Sequence, residues 1–101
     1  MRMRVLADRG TVEALRLAGL EGRSVEDQDD CEAVFREMLK EEGLAVLLVA
    51  EPLAARMRAS VDKARLARSL PLVLEIPARG AESESVDDLV DRVARMVGLG
   101  S

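Results

Sequence analysis

The chain has 101 residues, 49% hydrophobic and 34% charged, with 15 Lys and Arg against 19 Asp and Glu for a net charge of −4. That length suits one domain spanning 1–101 and is too short for two with separate cores. The acidic balance and a single aromatic residue, Phe35, argue against a nucleic-acid surface, which needs a positive field and stacking rings; one cysteine and no histidine exclude an internal disulfide, a thiolate–imidazole zinc site and His-dependent triads.

The first run, "MRVLAD" from Met3 to Asp8, reads as a strand. Thr11 is expected to cap the helix that follows, with Val12, Leu15, Leu17 and Ala18 as its apolar positions and Gly19 as its stop. "RSVE", Arg23 to Glu26, is short and half polar, which suits an edge strand. Cys31, Val34, Phe35, Met38 and Leu39 then recur at helical spacing, with Asp29 and Asp30 at the N-terminus favoured by the helix dipole and Gly43 as the stop. Cys31 faces the core in this reading, as an inert packed thiol.

"LAVLLVA", Leu44 to Ala50, is apolar on both faces, as a central parallel strand covered on each side would be; the pattern alone also admits a buried helical turn. Pro52 fits the first turn of a third helix running through Leu53, Met57, Val61 and Ala64, with Arg56, Arg58, Lys63, Arg65 and Arg68 around it. "LPLVLEIP", Leu70 to Pro77, is a fourth strand with proline at its margins. A polar loop near 78–85, expected to be the most mobile segment, leads to a capping pair of Ser85 and Asp88. Val86, Leu89, Val90, Val93 and Val97 form a last helical stripe ending at Gly98.

Alternating strands and helices predict an α/β fold: a small doubly wound, four-stranded parallel sheet of order 2-1-3-4 with helices on both faces, Rossmann-like or receiver-like in topology. The N-terminus lacks the features of a secretory signal, and no apolar run nears the roughly 18 residues that cross a bilayer, so a cytoplasmic protein is expected.

The stretch "ALRLAGLEG" poses the main question of chemistry. A dinucleotide fingerprint places its glycines between a strand and the start of a helix, where backbone N–H groups meet phosphate. Here Gly10 stands alone at that turn, and Gly19 and Gly22 follow the helix, so helix termination and tight packing are the better reading. Asp8, Glu51 and Glu75 fall near strand ends, where an open α/β sheet meets ligands, and three carboxylates suit a divalent cation. They equally suit solvated loop mouths. A receiver domain would carry its acceptor Asp where Ala50-Glu51 stand, and would add a second acid after the first strand and a lysine after a later strand, positions at which this chain has neither. The cations of the third helix suit either an acidic partner or an ordinary solvated face.

With these elements placed, "MRVLADRGTVEALRLAGLEG" resembles the N-terminal signature of the F subunit of V-type and archaeal A-type ATP synthases. "LAVLLVAE", "LPLVLEIP" and "LVDRVARMVGLG" resemble further segments of that family in order along the whole chain. Leu15 stands where the family usually has Phe, and the loop Ala78–Ser85 lacks its common Gly-Pro element. The resemblance implies a non-catalytic rotor subunit without a cofactor. It would bind the coiled coil of the D subunit in the central stalk, inside the A3B3 ring, and help couple proton or sodium movement to ATP synthesis or hydrolysis. It would touch the membrane only through the V1/A1 sector. Arg16, Leu17, Ala18 and Gly19 match the family motif, and Glu51 and Glu75 match its strand-end acids; Arg16 is expected to pair with an acid in the fold or on the D subunit, with Leu20 and Leu99 adding contact area. The alternative is a stand-alone module that holds a small ligand or divalent cation on Asp8, Glu51 and Glu75.

Overall fold

The computed structural model describes residues 2–26, 30–67, 69–77 and 86–96. Four strands, β1 (Arg2–Ala7), β2 (Glu21–Ser24), β3 (Leu44–Ala50) and β4 (Leu72–Ile76), form one sheet of order β2-β1-β3-β4. Every neighbouring pair is parallel. Five helices connect or follow them: α1 (Arg9–Leu17), α2 (Cys31–Leu39), α3 (Glu51–Arg56), α4 (Arg58–Leu66) and α5 (Val86–Met96). The fold class and strand order are those expected from the alternation.

Successive side chains of a strand point to opposite faces, and β1 and β3 use both faces for burial. On one face Leu6, Leu47, Val49 and Val73 pack with Phe35 and Met38 of α2, Leu53 and Ala54 of α3, and Val61 of α4. On the other, Val5, Ala7, Leu48, Ala50 and Ile76 pack with Val12, Ala14 and Leu15 of α1 and Val93 of α5. The doubly covered sheet explains the unbroken apolar run of β3, in which Leu47 to Ala50 are all buried. Cys31 lies in the first core layer and is buried, as its helical position implies.

Local chemistry sets the boundaries, and several differ from expectation; β4, expected from Leu70 to Pro77, spans only Leu72–Ile76, with Pro71 and Pro77 outside it. Asp8, not Thr11, caps α1: its Oδ2 accepts from the Thr11 backbone N–H at 3.1 Å, and its Oδ1 accepts from the Thr11 hydroxyl at 2.6 Å. Thr11 thus sits inside the first turn, fully buried. β2 begins two residues earlier than expected, because its pairing with β1 runs from Glu21 to Ser24. Val25 then leaves the strand to enter the core while its N–H still donates to Ala7. α2 ends at Leu39 and is capped by Lys40; Gly43, at φ +77°, makes the turn into β3 instead of stopping the helix. At its start Asp30 accepts from the Ala33 N–H at 3.1 Å. The expected third helix is two helices, broken at the buried Met57 (φ −131°, ψ 42°). No Gly or Pro marks that break; Leu53 and Ala54 before it and Val61 after it all enter the same core layer, so packing sets it.

The segment 78–85, the Ser85–Asp88 cap and the helix end at Val97 and Gly98 lie outside the described residues, whereas Val90 and Val93 of α5 pack on the α1 face as the stripe implied.

Candidate functional site

The end of α1 answers the question about its glycines. The Gly19 N–H donates to the Arg16 carbonyl at 2.9 Å, and the Leu20 N–H donates to Leu15 at 3.0 Å. This paired 5→2 and 6→1 arrangement closes a helix on a left-handed residue, here Gly19 at φ +93°. Leu20 folds back against the core layer that holds Leu15, so it is half-buried and only part of it is available for contact. Gly22 lies opposite Val5 in the β2–β1 register. A Cβ there would run into Val5 Cγ1 and the Val5 carbonyl oxygen. One glycine is therefore a helix stop and the other a packing requirement, and neither presents backbone N–H groups at a helix N-terminus.

Arg16 and Leu17 project from this closed end. Leu17 is 81% exposed, which removes it from the apolar stripe expected of the helix. Arg16 is exposed and makes no ion pair among the described residues. Beside them a hollow of about 420 Å³ is walled by Met3, Arg4, Ala18, Gly19 and Glu21. Its floor is braced by Glu41, which accepts from Arg4 at 2.6 Å and from Arg2 at 3.1 Å. The Arg4 hydrogen bond, more than any other contact, holds the Glu41 carboxyl below its ordinary value.

The three strand-end acids do not converge. Asp8 is occupied as the α1 cap, Glu51 is exposed in the first turn of α3, and Glu75 is drawn to α4. Glu75 accepts from both Arg58 and Arg65, and its side chain is 19% exposed. The hydrogen bond from Arg58 is the main reason its carboxyl lies below the ordinary range; the same contact raises Arg58. Among the described residues no group of three His, Cys, Asp or Glu is placed to hold a metal ion. Leu99 lies outside the described residues.

Sequence patterning missed Leu66, Leu70 and Leu72, which are 81%, 72% and 52% exposed. Leu66 ends α4 and Leu72 begins β4, so these residues and Leu17 all lie at the end of the sheet from which the strands start. Three apolar residues flanking a strand margin at Pro71 were the one signal to read. No helix among the described residues is long and apolar enough to cross a membrane.

The family described as "ATP synthase (F/14-kDa) subunit" matches residues 3–93. The F subunit of the A-type ATP synthase of Methanothermobacter thermautotrophicus is 32% identical over 97 residues, covering 94% of this chain and 91% of that protein. The F subunit of the V-type ATP synthase of Thermus thermophilus is 31% identical over 74 residues, covering 73% and 71%. Its A-type counterpart from Pyrococcus furiosus is 29% identical over 104 aligned positions, covering 98% and 96%. The match spans all four strands and the α1 closure, and the chain belongs to the family of ATP synthase F subunits, which are accessory and not catalytic parts of the rotary complex.

Proposed function

We propose that this chain is a rotor subunit of the central stalk, seated on the coiled coil of the D subunit within the A3B3 ring of a peripheral V1/A1 sector. In that position it helps couple proton or sodium movement to ATP synthesis or hydrolysis. The observation that carries the reading is the α1 closure, where the family's motif leaves Arg16 and Leu17 in solvent and spends only Leu15, Gly19 and part of Leu20 on the fold. An exposed leucine beside a cation with no ion pair among the described residues suits a helical partner with an apolar stripe and an acid at its edge. Leu99 is proposed to extend this contact, whereas Glu51, which follows β3, lies at the opposite end of the sheet from Arg16 and would belong to a separate one. Glu75, tied to Arg58 and Arg65, would join it only by exchanging those partners.

Mixed at equal concentration, the full-length chain and its D subunit, the coiled-coil partner, are expected to elute as a 1:1 complex of the summed mass. A chain that stays monomeric beside the folded coiled coil defeats the stalk reading. Arg16→Ala is expected to leave stability within about 0.5 kcal/mol, as for an exposed residue without an ion pair, while weakening the complex by about 1–2 kcal/mol. A double-mutant cycle against each acid of the coiled coil then locates the partner; zero coupling throughout removes the assignment of Arg16 and leaves the complex itself standing.

A further inference from the structure

α4 differs from its neighbours in how it is held. α1 buries Thr11, Val12, Ala14 and Leu15, and α2 buries Cys31, Phe35 and Met38, whereas α4, as long as either, buries Val61 alone. Its start at Met57 has no side-chain cap. Hollows flank it on both sides: one of about 320 Å³ toward α2, against Phe35 and Leu39, and one of about 420 Å³ toward the start of β4, against Leu72 and Val73. Side chains that border a hollow forfeit the dispersion contacts that a filled space would supply. Packing therefore contributes less to α4 than to α1 or α2.

Charge supplies what packing leaves out. Glu75 of β4 accepts from both terminal nitrogens of Arg58, the Nη2 contact at 3.0 Å, and from Arg65 at 3.0 Å. Residues 58 and 65 are two helical turns apart, so one carboxylate grips α4 in its first turn and again in its last. The Glu75 side chain is the least exposed of the three, which limits screening of the grip by water and salt. Ser60 adds one hydrogen bond, to Glu32 of α2. The helical run is interrupted at Met57 on one side and at the extended Ala67 on the other. Beneath α4, Phe35, Met38, Leu47, Leu53 and Ala54 belong to one buried layer drawn from α2, β3 and α3, so that layer keeps most of its members without α4.

We propose that α4 is a charge-latched flap, which opens as a unit about Met57 and Ala67 while the sheet and the other helices stay folded, at a frequency set by the grip of Glu75. Opening lifts Val61 and Ala64 off the layer that holds Phe35 and Val73. It also merges the two hollows, since Ala64 and Ala67 wall both. The flap lies on the face of the sheet opposite α1, so it does not rest on the stalk reading, and each can fail alone.

Amide hydrogen exchange of the full-length chain, read residue by residue by NMR and corrected for intrinsic rates, provides the test. The amides from Asp62 to Leu66 are expected to open about a hundredfold more often than those from Leu47 to Val49. Glu75→Gln is expected to raise α4 exchange about fivefold. Arg65→Gln, which leaves Glu75 its Arg58 partner, serves if Glu75→Gln fails to fold and is expected to raise it about twofold. Gly22→Ala strains β2, on the far edge of the sheet from β4. It is expected to speed exchange in β1 and β3 and to leave α4 unchanged, because β2 stays in place when α4 alone opens. Three results overturn the proposal. Exchange of α4 at the frequency of β3 shows that it has no opening of its own. A rise in α4 equal to that in β3 on Gly22→Ala shows that α4 opens only with the whole fold. Fast α4 exchange that neither Glu75→Gln nor Arg65→Gln alters shows a helix that opens without being latched by charge.

Discussion

Replacing Gly22 by alanine tests the closeness of the edge strand to its neighbour. The added Cβ meets the side chain and the carbonyl of Val5, its partner in the ladder. Val5 is fully buried and β-branched, so its side chain has few other rotamers. Its backbone is held by pairing to β2 on one side and β3 on the other. The strand that yields must be β2, which loosens the pairs from Arg4–Glu21 to Ala7–Ser24. Overpacking of this kind costs about 1–3 kcal/mol. Lower freedom of the unfolded chain returns about 0.4–1 kcal/mol. A net loss of about 1–2 kcal/mol corresponds to a melting temperature about 5–15 °C lower for a domain of this size. Gly19 supplies the internal comparison. A Cβ there meets nothing within 4 Å, and only its φ of +93° opposes a side chain. Gly19→Ala is therefore expected to cost about 1 kcal/mol and Gly19→Asn less, since Asn tolerates the left-handed region. At position 22 the order reverses, with the larger Asn worse than Ala. Urea unfolding of the four variants, followed by circular dichroism, decides. A Gly22→Ala protein within about 0.5 kcal/mol of the parent, or the same order of severity at both positions, refutes the reasoning.

Glu41 and Glu75 titrate below their ordinary values in the fold, through hydrogen bonds from Arg4 and Arg58 respectively, and Glu32 does so through Ser60 and then Arg36. Carboxyls depressed by folding contribute stability above their unfolded pKa, and that contribution is lost as pH falls through the folded one. Urea midpoints are thus expected to hold from neutrality to about pH 5 and to fall below about pH 4.3, with Glu75→Gln less stable by about 1 kcal/mol at pH 7 and its difference from the parent shrinking in acid. Asp8→Ala removes the α1 cap and leaves the buried Thr11 hydroxyl without that acceptor; a loss of about 1–2 kcal/mol is expected in the same assay, and Asp8→Asn should recover most of it. The buried Cys31 thiol is expected to react with an aromatic disulfide reagent only at the rate of unfolding, rising sharply in urea.

The sheet order was legible because burial on two faces leaves a mark that pattern can carry. Leu44 to Ala50 has no polar residue, so it had to be covered on both sides, and the observed strand has those same bounds. β2 was misplaced by two residues because Glu21, Gly22, Arg23 and Ser24 have no alternation to read, and only the Val5–Gly22 register locates them. The division at Met57 was not legible, since the apolar spacing of Leu53, Met57 and Val61 continues smoothly through it. At the site, the glycine roles followed from their place after a helix, an argument of position alone. The exposure of Leu17 was missed: five residues after Val12 and two after Leu15, it falls on the far side of the helix, and only its hydrophobicity placed it in the stripe. Leu66, Leu70 and Leu72 escaped notice for the same reason, because hydrophobicity marks a residue as apolar without saying what covers it.

The four exposed leucines at the starting end of the strands bear on how the molecule carries load. Force entering along the strands at that end pulls on the parallel ladders between them, whose evenly spaced, slanted hydrogen bonds are strained together rather than opened one after another. Rupture in shear requires many bonds to fail at once, whereas peeling from the β4 edge requires only the next one. A grip at the strand starts therefore makes this small sheet behave as a stiff key, and a grip on its outer edge would make it a zip.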